Sequence, residues 1–279
     1  MQARLARDPF LRGIPAPLRR LIRWSHHAFW KLKRTRLLLT SVPKCGTHLL
    51  RELFHNVGLL VEREVPKNYG VAPHELREVL AGLSGEAAVG HIPAFPELRE
   101  VVRETATKVL FIIRDPRDYV VSLMYHMRRR PDHFLHRYFR EDVPDDDVAL
   151  MHIIRGCDVR PEGMLEDVDT FFRWFLPWRE APSACTTSFE RLIGPEGGGS
   201  AVAQEKEIRR LLAHVDYPLL VPALLRRLGR RIYTADSPTF RRGMIGSWRE
   251  SFKLAHREAF KEVAGGLLIE LGYEQDLDW

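Results

Sequence analysis

Three short segments of this sequence carry residue types that could bind a phosphorylated ligand. The first, residues 42–48 (VPKCGTH), places a lysine and a glycine before a helical pattern. Backbone N–H groups at a helix N-terminus attract anions, and glycine lets the backbone approach them closely. Lys44 adds a positive charge and Thr47 a hydroxyl donor. Because Lys44 precedes Gly46, the segment differs from the nucleoside-triphosphate loop, in which the lysine follows the last glycine.

The second segment, residues 114–122 (RDPRDYVVS), follows the apolar run VLFII at residues 109–113. A strand in this run would place Arg114 at its carboxyl end, where open α/β sheets bind ligands. An arginine fork binds phosphate with two parallel hydrogen bonds, and Ser122 on the following helix adds a hydroxyl. The spacing is also compatible with an ion pair between Arg114 and Asp118, which would leave Ser122 without a role.

The third segment, residues 240–248 (FRRGMIGSW), places Arg241 and Arg242 directly before Gly243 in an irregular stretch. Guanidinium and backbone N–H groups in such a loop can clamp an anion. Taken alone, the segment is more typical of a solvated basic loop.

The elements that must position these segments alternate between strands and helices. Apolar runs predict strands at residues 37–42, 87–91, 109–113 and 184–189. Helical periodicity predicts helices at residues 48–57, 74–83, 97–105, 116–130, 166–178, 201–214, 218–228 and 253–271. In the 166–178 helix, the aromatic stripe Phe171, Phe172, Trp174, Phe175 and Trp178 is typical of core packing. The alternation predicts one α/β domain with a parallel β-sheet flanked by helices.

Composition narrows the class of protein without identifying a ligand. The chain has 279 residues, 45% of them hydrophobic, and a formal net charge of +6, which suits an anionic partner. Its three cysteines are far apart in sequence, so we expect no disulfide framework or zinc site and a reducing, cytoplasmic setting. No apolar run is long enough for a signal peptide or a transmembrane helix.

The N-terminal residues 1–36 form a basic extension before the domain at residues 37–279. Between residues 18 and 33, aromatic residues are mixed with Arg and Lys, as in amphipathic helices that lie on anionic membranes. The same pattern occurs more often in a helix that packs on its own domain and keeps a solvated basic face. Peripheral membrane contact through residues 18–36 is therefore one of two interpretations.

Taken together, the three segments resemble those of sulfotransferases of the cytosolic type. That family has a Pro-Lys-Ser-Gly-Thr-Thr-Trp loop, an Arg and a Ser eight residues apart, and a later Arg-Lys-Gly-x-x-Gly-Asp-Trp loop. The corresponding residues here are 43–49, the pair Arg114 and Ser122, and 241–248. The resemblance covers residues 37–272 and implies a P-loop-like fold, shared with nucleoside kinases, for a sulfotransferase domain.

The resemblance also implies an activity and roles for individual residues. The family transfers the sulfuryl group of 3′-phosphoadenosine 5′-phosphosulfate (PAPS), without a metal, to an acceptor hydroxyl or amine by in-line displacement. His91, in the segment GHIP at residues 90–93, is implied as general base, and Lys44 as the charge that offsets the leaving phosphate. Phe189 stands where the family often has a Tyr that contacts adenine. The residues implied to bind PAPS are Lys44, Cys45, Gly46, Thr47, His48, Arg114, Ser122, Phe189, Arg241, Arg242 and Gly243.

Several positions depart from the family pattern. Cys45 replaces a Ser, which exchanges a hydroxyl for a thiol, a weak hydrogen-bond donor. His48 replaces a Thr, Leu49 replaces a Trp that stacks on adenine, and Val89 replaces a Lys of the catalytic segment. Ser247 stands in place of an Asp. The departures at Cys45, Leu49 and Val89 each remove a contact that the family pattern would supply, whereas Ser247 has no assigned role.

The residues leave two other classes of function open. A P-loop-type nucleotide kinase would share the sheet and the phosphate loop, but would also need Mg²⁺ held by a loop hydroxyl and a strand-end Asp. The acidic run at residues 145–147 is more typical of a solvated loop than of a metal site. A non-catalytic protein that binds membranes or nucleic acid would explain the basic N-terminus, although we expect no nucleic-acid partner.

The sequence does not identify the acceptor. The segments expected to contact it are residues 62–86, 131–165 and 229–240, which match no diagnostic pattern. The basic, aromatic N-terminus favours an amphipathic or lipid acceptor, and small molecules, glycans and peptides remain open.

Overall fold

The computed structural model describes residues 28–66, 70–161, 163–218, 220–233 and 243–279. Its strands are β1 Arg36–Ser41, β2 Leu60–Glu64, β3 Glu86–Gly90, β4 Lys108–Ile113, β5 Cys157–Asp158, β6 Met164–Leu165 and β7 Ala184–Ser188. Five of them form one sheet in the order β2-β3-β1-β4-β7, and every pair in this sheet is parallel. The short strands β5 and β6 pair antiparallel outside it.

Helices connect the strands of the parallel sheet and cover it. They are α1 Thr47–Asn56, α2 Pro73–Ala81, α3 Pro96–Glu104, α4 Pro116–Arg129, α5 Asp146–Arg155, α6 Val168–Arg173, α7 Phe189–Leu192, α8 Ala201–His214, α9 Pro222–Ile232 and α10 Leu254–Leu271. Short 3₁₀ turns lie at Leu176–Glu180, Pro195–Gly197 and Ser247–Glu250, and a π-helical turn at Tyr138–Asp142.

Two apolar cores lie on opposite faces of the sheet. Alternate residues of β1 divide between them, because successive side chains of a strand point to opposite faces. Leu38 packs in the core formed with α2, α3, α4, α5 and α10. Leu37 and Leu39 pack in the core formed with α1, α8 and α9. Both faces are therefore covered, which explains why β1 and β4 are nearly continuous apolar runs.

The predicted α/β class is confirmed, and the four predicted strands agree with β1, β3, β4 and β7 to within one residue at each end. One predicted helix, residues 166–178, is wrong over its second half. Helix α6 ends at Arg173, and a 3₁₀ turn with Pro177 in its first turn follows. Proline has no N–H to donate and its ring clashes with the preceding helical turn, so an α-helix cannot continue through it without a kink.

Strand β2 and helix α5 were not predicted. The acidic run at residues 145–147, expected to be a solvated loop, starts α5 instead. The side chain of Asp145 accepts a hydrogen bond from the backbone N–H of Val148 at 3.0 Å, which is an N-cap.

The described part of the N-terminal extension packs on the domain. Residues 28–33 are helical, and Trp30 is fully buried. Its indole Nε1 donates to the carbonyl of Val57 at 3.0 Å, and its ring stacks on Tyr217. Residues 1–27 lie outside the described residues, so membrane contact through residues 18–36 and a boundary at residue 36 stay predictions. No helix in the described ranges is long and apolar enough to cross a membrane.

Candidate active site

A cavity of about 570 Å³ lies at the carboxyl ends of the parallel strands. The loops after β1, β3, β4 and β7 all reach it, as expected for ligand sites of open α/β sheets. Its walls include most of the residues that the sequence predicted: Lys44, Gly46, Thr47, His48, His91, Arg114, Ser122, Phe189 and Gly243. Arg241 and Arg242 lie outside the described residues, so their predicted contact with the ligand stays a prediction.

The loop between β1 and α1 has the backbone of an anion-binding turn. Lys44 and Gly46 both have positive φ, 65° and 107°, and Gly46 is the N-cap of α1. A Cβ at Gly46 would lie 3.1 Å from Phe189 Cδ2 and 3.2 Å from Ile112 Cδ1, so only glycine fits without displacement. No side chain caps α1 and no acid lies in its first turn, which leaves the positive end of the helix dipole to a ligand.

Cys45 is the predicted site residue whose side chain does not reach the cavity. The thiol is fully buried in the core that also contains Leu38, and burial raises its pKa. Its backbone N–H already donates to the carbonyl of Val42 at 3.2 Å. The Cys45 side chain, which the sequence placed among the site residues, therefore packs in the core and does not line the cavity.

Lys44 is a partly buried cation that lines the cavity. Burial, with the nearby charge of Arg114, lowers the pKa of Lys44 to about 8. Among the described residues, only burial and neighbouring charges act on its ammonium group, and no hydrogen bond or ion pair joins it to any of them. Withdrawing a charge from water without giving it a partner costs free energy, even when the group is only partly buried, so this position favours an anionic ligand.

Arg114 is held in place from several sides. It is 6% exposed, its guanidinium stacks 4.1 Å from the centre of the Phe189 ring, and its Nη2 donates to the Met244 carbonyl at 2.7 Å. The ion pair with Asp118, which the sequence left open as an alternative interpretation, is present at 3.4 Å. Its Nε is buried and has no hydrogen-bond partner within the described ranges. An arginine fixed in this way, with a donor left over, is suited to a phosphate oxygen.

The imidazole of His91 lies between β1 and the start of α1. Its Nδ1 is 3.2 Å from the carbonyl oxygen of Ser41 and 3.1 Å from the Ser41 hydroxyl, which is itself 2.5 Å from Thr47 Oγ1. Burial lowers the pKa of His91 to about 4, with smaller effects from Lys44 and His48. The ring is therefore neutral near pH 7, in the state that can accept a proton.

Apart from these polar residues, the cavity wall is largely apolar, and the sequence predicted few of its apolar residues. Its apolar walls include Val65, Val89, Leu123, Met127, Phe134, Leu135, Leu165, Phe171 and Trp174. The predicted acceptor segments 62–86, 131–165 and 229–240 all contribute described residues, the last through Ile232 and Tyr233. The aromatic stripe divides: Phe172, Phe175 and Trp178 are core as predicted, whereas Phe171 and Trp174 line the cavity.

His126 is a cavity residue that the sequence reasoning missed. Burial, followed by the charge of Lys44, lowers its pKa to about 3. Its position, four residues after Ser122 on α4, puts it on the same helix face and could have indicated its place in the site.

Comparison with known proteins agrees with this geometry. A family model described as "Sulfotransferase domain" matches residues 34–192, more than half of the chain. The chain therefore belongs to the sulfotransferase family.

Individual relatives are distant. Human sulfotransferase 2B1 is 30% identical over 171 residues, which cover 55% of this chain and 42% of the human protein. The chain thus aligns with less than half the length of that relative.

Solved structures share the fold at low identity. Mouse sulfotransferase SULT7A1 complexed with PAP has a TM-score of 0.61 at 17% identity, covering 86% of this chain and 87% of the mouse chain. Retinol dehydratase in complex with androsterone and the inactive cofactor PAP has a TM-score of 0.56 at 13% identity, covering 88% and 85%.

Proposed function

We propose that this protein transfers the sulfuryl group of PAPS to a hydroxyl or amine of a largely apolar acceptor, with His91 as general base. One observation carries the proposal. The partly buried cation Lys44 and the buried cation Arg114, whose Nε has no hydrogen-bond partner among the described residues, share one cavity with an uncapped helix N-terminus and a neutral histidine. Two solved relatives, mouse SULT7A1 and retinol dehydratase, were crystallised with PAP, the desulfated form of this donor.

The residues present fit a doubly phosphorylated nucleotide. Lys44, Thr47, His48 and the N–H groups that begin α1 would hold the 5′-phosphosulfate end, since they combine positive charge with hydrogen-bond donors. Arg114, Ser122 and Gly243 would hold the 3′-phosphate, where the buried Nε of Arg114 supplies a donor. The predicted contributions of Arg241 and Arg242 would fall on this second phosphate. The Phe189 ring, packed between Gly46 and Arg114, would contact the adenine ring of PAPS.

Bound PAPS would supply an activated sulfuryl group, and the residues of the chain would supply proton transfer and charge stabilisation. The neutral His91 ring, with Nδ1 held by Ser41, can accept the proton of the acceptor's hydroxyl at Nε2. Lys44 can stabilise negative charge that develops on the leaving phosphate, and one such donor can be worth about 2.7–4 kcal/mol. Nothing in this arrangement requires a metal, and metal independence stays a prediction that a chelator tests.

The apolar half of the cavity supports an acceptor with a large apolar body. Aromatic and aliphatic residues from β3, α4, α6 and the segment at 133–135 surround this space, next to His91. Retinol dehydratase, a relative of the same fold, is named in structures with androsterone and with retinol. We therefore place the acceptor among amphipathic alcohols or amines. A cytoplasmic location with peripheral membrane contact through residues 18–36 would bring the protein to such molecules.

The test is transfer of radiolabelled sulfate from PAPS to a fractionated extract of the native cells, with and without EDTA. We expect labelled product in an apolar fraction.

His91→Ala should lower turnover by roughly 10²–10⁴-fold, the usual range for losing a general base, while PAP affinity stays within about threefold. His74→Ala, on the exposed face of α2, is the matched control. Full turnover in the His91 variant would place the base elsewhere.

A further inference from the structure

The carboxylate of Asp118 forms hydrogen bonds that join residues 246–248 to helix α4. Asp118 is fully buried in the first turn of α4. Its Oδ2 accepts from the backbone N–H of Gly246 at 2.8 Å. Its Oδ1 accepts from the Ser247 hydroxyl and from the backbone N–H of Trp248, each at 2.9 Å. One side chain thus satisfies three donors of residues 246–248, which lie 128 to 130 positions away in sequence.

The same loop is also joined to Arg114. The Met244 carbonyl accepts from Arg114 Nη2 at 2.7 Å, and Asp118 Oδ2 lies 3.4 Å from that nitrogen. Between these points, the backbone N–H of Ile245 donates to the Gly197 carbonyl at 3.0 Å. The position of residues 243–248 and the orientation of the Arg114 guanidinium are therefore set by one hydrogen-bond network.

This network ends at the cavity wall. Gly243, the first described residue of the loop, lines the cavity together with Arg114 and Ser247, whereas Asp118 does not line it. Asp118 can therefore act on a ligand only through the groups that it holds. Gly246 has φ of 73° and donates to Asp118, so the turn itself is shaped to bring its N–H groups to one carboxylate.

We propose that Asp118 is a positioning residue for recognition of the donor's 3′-phosphate. It holds Arg114 and the Gly243 end of the loop in the arrangement that binds this phosphate, and binding of the phosphate in turn stabilises the loop. The inference rests on the proposed function, in which these groups contact the 3′-phosphate. Coupling between two equilibria is reciprocal. The free energy by which the ordered loop strengthens phosphate binding must therefore equal the free energy by which bound phosphate stabilises the loop.

The substitution Asp118→Asn separates this role from general stability. The amide keeps the shape of the side chain but offers a single acceptor oxygen and a donor NH₂ group. The NH₂ group of the new amide would face N–H groups of the loop, and Arg114 would lose the negative charge beside it. Ser247→Ala is a milder variant, because it removes one of the three hydrogen bonds and leaves the carboxylate in place.

The experiment measures calorimetric affinities of PAP and of adenosine 5′-phosphate, which lacks the 3′-phosphate. In the wild type, PAP should bind much more tightly. In Asp118→Asn, the preference for PAP should fall at least tenfold, with adenosine 5′-phosphate affinity changed by less than about threefold. Ser247→Ala should lower the preference by a few fold. Asp158→Asn, which alters a surface ion pair with Arg160, is the control and should leave the preference unchanged.

The outcomes are distinct. Equal weakening of both nucleotides in a folded Asp118 variant, or an unchanged preference, would overturn the positioning role while leaving the proposed function intact. If Asp118→Asn does not fold, the preference measured in Ser247→Ala decides, and an unchanged preference there would overturn the inference. A wild type that does not prefer PAP would contradict the proposed function itself. Hydrogen exchange of residues 243–248 should slow on PAP binding in the wild type and much less in the Asp118 variant.

Discussion

The imidazole Nδ1 of His91 lies 3.2 Å from the carbonyl oxygen of Ser41, the last residue of β1. A carbonyl oxygen only accepts hydrogen bonds, so we assign the proton of the neutral ring to Nδ1 and its lone pair to Nε2. Because Ser41 belongs to a strand in the centre of the sheet, the ring orientation is fixed by the core of the fold. The same contact that orients the ring also sets its tautomer for proton acceptance.

The first prediction concerns the acid limb of the pH profile. Burial lowers the pKa of His91 to about 4, and the neutral ring is the active form of a base. Activity that depends on this group is present above that pKa and is lost as pH falls through about 4. The value of kcat/KM should therefore stay level from pH 6 to pH 7.5. An inflection near pH 6.5, with folding verified at each pH by circular dichroism, would contradict the assignment.

The second prediction concerns the alkaline side and Lys44. Burial lowers its pKa to about 8, and the charged form is the one that attracts phosphate. The affinity for PAP should therefore decrease as pH rises through about 8, because the cation is lost. In Lys44→Arg the charge persists, so the dependence on pH should flatten even if affinity at pH 7 is reduced. Calorimetric titration at pH 7.0, 8.0 and 9.0 checks this, and identical pH profiles for both proteins would exclude Lys44 as the titrating group.

The third prediction compares two glycines. Gly46→Ala imposes a side chain on a φ of 107° and within 3.2 Å of Phe189 and Ile112, so unfolding free energy should fall by about 1–3 kcal/mol. PAP affinity should fall as well, because Phe189 and the α1 N-terminus must move apart. Gly266→Ala, inside α10 with open space around it, should be neutral or stabilise by up to about 1 kcal/mol. Thermal unfolding and PAP titration measure both; similar effects of the two substitutions would argue against a tight loop at Gly46.

Much of the fold could be predicted because the central strands are buried on both faces. Strand β4 is an uninterrupted apolar run, which predicts a buried strand, whereas β2, at the edge of the sheet, has the mixed sequence LVERE. Its pairing with β3 defines it as a strand, and local periodicity does not show that pairing. Helix α5 does have a local sequence signal, because Asp145 is an N-cap residue and apolar residues follow it at helical spacing.

The sequence likewise predicts one part of the candidate site and not the other. The loop between β1 and α1 and the residue Arg114 follow directly after strands that the sequence predicts, and the order of chain segments brings them to one edge of the sheet. The apolar half is built from short stretches around residues 65, 134 and 165, none with a local pattern that indicates a common cavity. The contact between Asp118 and Ser247 joins residues 129 apart, so it is defined only by tertiary structure.

The central claim is that the cavity binds a 3′,5′-bisphosphorylated adenosine without a metal. The most direct measurement is the shift in melting temperature caused by PAP in EDTA, compared with that caused by ATP with Mg²⁺. A ligand at 100 times its Kd adds about 2.7 kcal/mol to the unfolding free energy, which is readily detected. We predict a clear upward shift with PAP and a much smaller one with ATP and Mg²⁺. Equal stabilisation by the two nucleotides, or none by PAP, would contradict the claim.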